Sequence, residues 1–200
     1  MIAVIDYGAG NLRSVINAIT SLGFEPLVTS NPEDITRADK VILPGVGAAG
    51  STVESLKEQG LDTAIAAYIA QGRPFMGICI GMQVLFDYTE EGGGAQCLGI
   101  IPGRVKKLPA SLKVPHMGWN QVCQLNAHPV FGGIEDEAYF YFVHSYYVEP
   151  EHDDIIIGST RYGLDFASAV ATGSLVATQF HPEKSGKLGL RIYRNFLQPE

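Results

Sequence analysis

The chain has 200 residues, with 23 glycines, a hydrophobic fraction of 46% and a formal charge of -7 from 21 acidic and 14 basic side chains. That length suits a single domain, residues 1–200, with enough apolar material to bury a core. The acidic balance argues against a general phosphate-binding surface and so against nucleic acid. No apolar run approaches the roughly 18 residues of a spanning helix, and Met1–Asp6 has no leader-like flank, so no membrane association and a cytoplasmic location are expected.

In chain order, Ile2–Asp6 reads as a buried strand. It is followed by a helix over Asn11–Leu22, whose Leu12, Val15, Ile16 and Ile19 recur at helical spacing and which Gly23 ends. Phe24–Thr29 and Lys40–Leu43 read as strands, Val53–Gln71 as helical material interrupted near Gly60, and Pro74–Ile78 as a further buried strand. The series is βαβ, which calls for a parallel sheet with helices on both faces. From Gly92 onward the pattern changes to strand-like runs at Gly99–Leu108, Gln121–Leu125, Ala138–Val148, Ile155–Arg161, Phe166–Ala171 and Leu175–Phe180. These are expected to add to the sheet as antiparallel strands, and Leu188–Leu197 to close the chain as a helix.

The three cysteines form no CxxC pair and no metal-ligand spacing, so neither a disulfide framework nor a metal site is expected. Cys97 and Cys123 read as structural. Cys79 differs, because Gly77-Ile-Cys79-Ile-Gly81 places it between a buried strand and an incipient helix, the pattern of a nucleophile elbow with sulfur in the central place. Small residues two positions to either side suit a turn that holds the central residue in a strained conformation and brings backbone close. The N-terminus of the helix that follows is expected to favour the reactive thiolate.

A thiol nucleophile needs a base, and Phe180-His181-Pro182-Glu183 supplies one where an apolar strand ends. His181 can take the thiol proton while Glu183 fixes its tautomer and orientation. Of the other histidines, His128 and His152 lie in polar, turn-like sequence, whereas His116 and His144 sit among aromatic residues and suit satisfied core positions. None of them has a carboxylate two residues on at a strand end.

Pro44-Gly-Val-Gly47, Gly77-Ile-Cys-Ile-Gly-Met-Gln83 and Phe180-His-Pro-Glu183 together resemble the class I, triad-type glutamine amidotransferases in order and spacing. Asp6-Tyr-Gly-Ala-Gly-Asn-Leu-Arg-Ser14, Pro115-His-Met-Gly-Trp-Asn120, Val143-His-Ser-Tyr146 and His181-Pro-Glu-Lys-Ser185 look more specifically like the glutaminase subunits of imidazole glycerol phosphate synthases. The resemblance runs over essentially the whole chain. It implies a flavodoxin-like α/β fold and a reaction without cofactor, in which Cys79, His181 and Glu183 release ammonia from glutamine through a cysteinyl thioester.

The same resemblance implies an oxyanion hole made of the Ile80 N–H and the Val46 or Gly47 amide. It implies glutamine contacts from Gly47, Gln83, Glu91, Ser145 and Tyr146. It further implies a (β/α)8-barrel cyclase partner that takes the ammonia, docked near Asn11, Arg13, Trp119 and Lys184; a helix cap for Asn11 and a core position for Trp119 are the competing readings. The sequence departs from the usual pattern at Ile80, where Leu is usual, and at Gly186, which replaces a polar residue. Two alternatives stay open: the glutaminase subunit of another amidotransferase, serving anthranilate, pyridoxal phosphate or guanylate synthesis, and a catalytically silent module on the same fold.

Overall fold

The computed structural model describes residues 1–8 and 11–198, so Ala9 and Gly10 of the Asp6–Ser14 motif and the last two residues lie outside it. Its first part alternates as the apolar runs require: β1 (Ile2–Ile5), α1 (Leu12–Ser21), β2 (Pro26–Thr29), α2 (Pro32–Arg37), β3 (Lys40–Leu43), α3 (Ala49–Glu58), α4 (Leu61–Ala70) and β4 (Phe75–Ile78). A single turn of helix, α5 (Ile80–Gln83), leads into β5 (Phe86–Thr89) and β6 (Ala95–Gln96). The strands β7 (Ile101–Lys107), β8 (His116–Gln124), β9 (Ala138–His144), β10 (Tyr146–Pro150), β11 (Ile156–Arg161), β12 (Asp165–Thr172) and β13 (Leu175–Thr178) precede the closing helix α6 (Gly186–Leu197).

The main sheet runs β2-β1-β3-β4-β13-β12-β10-β7-β5-β6, and a side branch joins β11 to β12 and β8, with β9 paired to β8. The first five strands of that order are mutually parallel. The order reverses at β1, and right-handed crossovers then put α1 on one face and α2 to α4 on the other. The packing agrees, with α1 against α6 and both α2 and α3 against α4. Among the described residues, no helix is long and apolar enough to cross a membrane.

Several sequence expectations are corrected. Leu175–Phe180 does add antiparallel on one side, against β12, but on the other side β13 lies parallel to β4, with Thr178 opposite Ile78. This pairing makes both strands leave the sheet at the same edge. The run Ala138–Val148 is two strands broken at Ser145, since a period-two aromatic run carries no mark of its own interruption. The strand expected at Gln121 begins at His116, where polar residues and Gly118 hide the alternation. The helical break near Gly60 is real, with Gly60 at φ +68°, but α3 begins at Ala49 rather than Val53. The short helix α2 had no periodicity to show; its signal was its cap, since Asn31 accepts from the Glu33 N–H and Pro32 opens the turn.

Candidate functional site

Cys79 adopts φ 55° and ψ -106° between β4 and α5, a conformation sparsely populated by non-glycine residues and held only where the surroundings enforce it. Here the enforcement comes from glycines. A Cβ on Gly77 would stand 2.6 Å from the Gly81 carbonyl oxygen, and one on Gly81 would stand 2.0 Å from the Leu43 carbonyl oxygen. The Cys79 N–H donates to the Thr178 carbonyl at 2.7 Å, which ties the elbow to the end of β13. Because α5 is only four residues long, the expected dipole support for a thiolate is small; what this turn offers is an N–H at Ile80, first in the helix and without an intrahelical acceptor.

His181 arrives beside the elbow because β13 is parallel to β4. Its Nδ1–H donates to Glu183 Oε1 at 2.7 Å, and the two side chains are 1% and 2% exposed. Its backbone is locked as well, since the N–H donates to the Tyr141 carbonyl at 2.9 Å and the carbonyl accepts from Ser185 Oγ at 2.7 Å. With Nδ1 committed to Glu183, Nε2 is buried and without a hydrogen-bond partner, and His181 and Cys79 line one cavity. Burial is the largest influence on the imidazole and opposes its protonation. The nearness of Cys79 and the bonded Glu183 carboxylate together outweigh it, raising the His181 pKa to about 9. The thiol itself is directed at the Val143 carbonyl oxygen, 3.9 Å away. Tyr193 of α6 is fully buried next to Glu183, and burial, then that carboxylate, push its phenol pKa well up.

Cys79 and His181 open onto a cavity of about 340 Å³, also lined by Val46, Gly47, Ile80, Gln83, Glu91, Ser145, Tyr146 and Lys184. Every residue that the sequence associated with the oxyanion or with glutamine therefore faces one space. Gly47 has φ +98°, a conformation that side chains disfavour, and nothing lies within 4 Å of where its Cβ would stand. The Tyr7 hydroxyl lies beside Thr52 and the Val46 N–H, and burial foremost raises its pKa. Glu91 Oε2 accepts from the Ala49 N–H at 2.7 Å, so this carboxylate also caps α3. Gln83 gives its amide protons to the Tyr146 carbonyl at 2.9 Å and to Gln179 Oε1 at 3.0 Å, which leaves its own Oε1 buried and unpartnered.

Trp119 is 56% exposed, with Met117 and Tyr139 exposed on the same pair of strands, so the core alternative for Trp119 is set aside. Its ring meets Tyr141 edge-on, with centroids 6.1 Å apart, and Lys184 Nζ sits 5.9 Å from the Tyr141 centroid, at the cavity wall. Helix α1, which carries the exposed Arg13 and follows directly on Asn11, packs against the Pro182–Lys184 turn. Asn11 stands at the N-cap of α1 but makes no side-chain cap; its Oδ1 accepts from Ser14 Oγ at 2.9 Å.

Sequence reasoning missed Gln179, Tyr7, Pro115, Val143 and Tyr193. Of these, Gln179 had a readable signal, a polar residue inside an apolar strand end. His116 and His144 are the satisfied core histidines expected, bonded to each other at 2.8 Å. Burial lowers their pKa values to about 4 and about 3, so both stay neutral. Burial raises the Cys97 pKa to about 11, leaving it an unreactive thiol.

Compared with known proteins, residues 3–198 match the family model for class I glutamine amidotransferases. The chain is 57% identical over 198 residues to the imidazole glycerol phosphate synthase subunit HisH of Dehalococcoides mccartyi (strain ATCC BAA-2266 / KCTC 15142 / 195), covering 99% of this chain and 97% of that one. It is 49% identical over 198 residues to the HisH of Methanothermobacter thermautotrophicus, covering 99% and 98%. Among solved structures, PurLQS from Thermotoga maritima superposes with a TM-score of 0.77 at 20% identity, covering 98% of this chain and 96% of that one. The glutaminase domain of Trypanosoma brucei CTPS with bound acivicin gives 0.70 at 16% identity, covering 100% and 94%. At these identities the two structures speak for the fold alone.

Proposed function

The chain belongs to the class I glutamine amidotransferases, and from that premise we propose that it is the glutaminase subunit of an imidazole glycerol phosphate synthase, with Cys79, His181 and Glu183 as its triad. The observation that carries the chemistry is the buried His181–Glu183 pair, whose unpartnered Nε2 belongs to a ring that shares its cavity with a thiol held in a strained turn. The relatives named above carry the destination of the ammonia.

With its proton held on His181 Nε2, Cys79 Sγ attacks the side-chain amide carbon of glutamine as the thiolate. The charge that builds on the amide oxygen falls toward the Ile80 N–H and a donor from the Val46–Gly47 strand. His181 returns the proton to the departing nitrogen, ammonia leaves, and a glutamyl thioester remains. Water then attacks that carbonyl, His181 takes the water's proton, the carbon–sulfur bond breaks, and glutamate is released. Gly47, Gln83, Glu91, Ser145 and Tyr146 hold the substrate in this reading. A (β/α)8-barrel cyclase docks over Asn11, Arg13, Trp119 and Lys184, receives the ammonia, and makes imidazole glycerol phosphate and aminoimidazole carboxamide ribotide. Residues 1–200 act as one domain, and three free cysteines suit a cytoplasmic location.

The test is glutamine-dependent synthesis after the cyclase and its nucleotide substrate are added, together with labelling of Cys79 by a glutamine-like chloroketone. We expect glutamine use only in the complex, and Cys79→Ala to lower it by about 10⁴-fold while ammonia-dependent synthesis persists. An unlabelled Cys79, or equal loss of both activities, would refute the division of labour. The same assay separates this reading from a subunit serving another synthase, which would give no product with this cyclase.

A further inference from the structure

Gln179 is completely buried and stands between β13 and His181, one residue past the point where the Cys79 N–H meets the Thr178 carbonyl. Its side-chain amide bridges two elements of the site, with Nε2 donating to Cys79 Sγ at 3.5 Å and Oε1 accepting from Gln83 Nε2 at 3.0 Å. Nitrogen and oxygen of a Gln amide are alike in shape, so their placement has to be fixed by a neighbour of known polarity. The Tyr146 carbonyl is that neighbour. It can only accept, so Gln83 must turn its NH2 toward it; Gln179 must then present its oxygen to the same NH2, and its own N–H faces the sulfur.

The Tyr146 carbonyl is itself held from behind. His144 Nδ1–H donates to it at 2.8 Å, His144 Nε2 accepts from His116 Nδ1–H at 2.8 Å, and His116 Nε2 accepts from Asn120 Nδ2 at 3.2 Å. Two series of hydrogen bonds thus meet at the Tyr146 carbonyl, one donating toward it from β8, beside the exposed Trp119, and one starting at Gln83, which donates both to that carbonyl and, through Gln179, toward the nucleophile.

We propose that Gln179 is a fourth catalytic residue, whose side-chain N–H holds the Cys79 sulfur and stabilises it as a thiolate. The proposal rests on the reading of Cys79 as nucleophile. A hydrogen bond made to a charged acceptor is stronger than one to its neutral form. The N–H therefore contributes twice, before attack, while the proton sits on His181 and the sulfur carries the charge, and when the carbon–sulfur bond of the thioester breaks and its electron pair returns to sulfur. The oxyanion donors act on the carbonyl oxygen, whereas the Gln179 amide N–H is directed at the sulfur.

The experiment is the pH profile of Cys79 alkylation by iodoacetamide in the unaltered chain, Gln179→Leu and Gln179→Glu, each also assayed with the cyclase. The other titratable groups around the sulfur are His181 and Tyr7, with His144, Glu91 and Lys184 further along the cavity wall, and all are common to the three proteins. Gln179→Leu removes the donor and should raise the alkylation midpoint by about one pH unit. Gln179→Glu keeps an acceptor for Gln83 but sets a carboxylate against the sulfur, and should raise the midpoint further. Glutamine-dependent kcat should fall at least about tenfold in both, with KM changed less than about threefold.

In the unaltered chain, the Gln179 side-chain amide resonance should titrate with the alkylation midpoint, a readout that needs no variant to fold. A midpoint unmoved in both variants, or an amide resonance that stays fixed through it, overturns the proposal. Failure of the chloroketone to label Cys79 in the unaltered chain would instead strike the reading on which the proposal rests.

Discussion

The parallel and antiparallel parts of the sheet build the site by different means. On the parallel side, β3, β4 and β13 are buried almost throughout, and their contribution is backbone geometry: a strained elbow, glycines pressed against carbonyls, and two strand ends leaving at one edge. On the antiparallel side, β7, β8 and β9 alternate buried and open positions. They contribute side chains on two faces, with His116 and His144 turned inward and Trp119 and Tyr139 turned out. Strands covered on both faces leave little freedom for side-chain chemistry, so reactivity collects at their ends; half-covered strands can face a site and a partner together.

Breaking the parallel side should cost the most. Gly81→Ala forces a Cβ to 2.0 Å from the Leu43 carbonyl oxygen, and chemical denaturation should show a loss of about 3 kcal/mol. A change under about 0.5 kcal/mol, the scatter of ordinary surface substitutions, would show that the elbow yields more easily than its packing implies.

On the antiparallel side the same removal of contact should leave the fold intact. Trp119→Ala should change the chain's stability by less than about 0.5 kcal/mol, while its affinity for the cyclase falls by about 2 kcal/mol, some thirtyfold. Titration calorimetry with the barrel subunit decides it, and unchanged affinity would remove this face from the interface.

The smallest effect tests the junction of the two sides. His181 has its folded pKa raised from the ordinary 6.5 to about 9, so its contribution to stability is fully present below the unfolded value and is lost as pH rises through about 9. Glu183→Gln should therefore destabilise the chain by roughly 1–2 kcal/mol near pH 6, with the difference shrinking toward pH 9 and above. NMR titration should show the His181 midpoint falling in the same variant. A pH-independent difference would assign Glu183 to packing alone.

The parallel side was also the more legible in sequence. Short apolar runs between amphipathic ones give β1, β3 and β4 directly, and Gly77-x-Cys79-x-Gly81 announces its turn through the steric demand of that turn. The antiparallel side yielded strands but not their limits, because at Ser145 the chain changes partner, from β8, where His144 faces His116, to β7, where Tyr146 faces Lys107, and both partners are distant in sequence. Glu91 shows the same limit. The sequence marks a carboxylate suited to an ammonium group, while only the fold reveals that one of its oxygens caps α3.

By itself, the sequence determined the chemical roles available: a thiol at a glycine-flanked turn, an imidazole at a strand end, and a carboxylate two residues on. These are local properties, set by residue type and by the backbone the neighbours permit. The tertiary structure decided their meeting, through the parallel pairing of β13 with β4 that the run Leu175–Phe180 did not reveal. Strand direction is settled by a partner distant in sequence, and so is the polarity of the Gln179 amide, which depends on a carbonyl of β10 reached through Gln83.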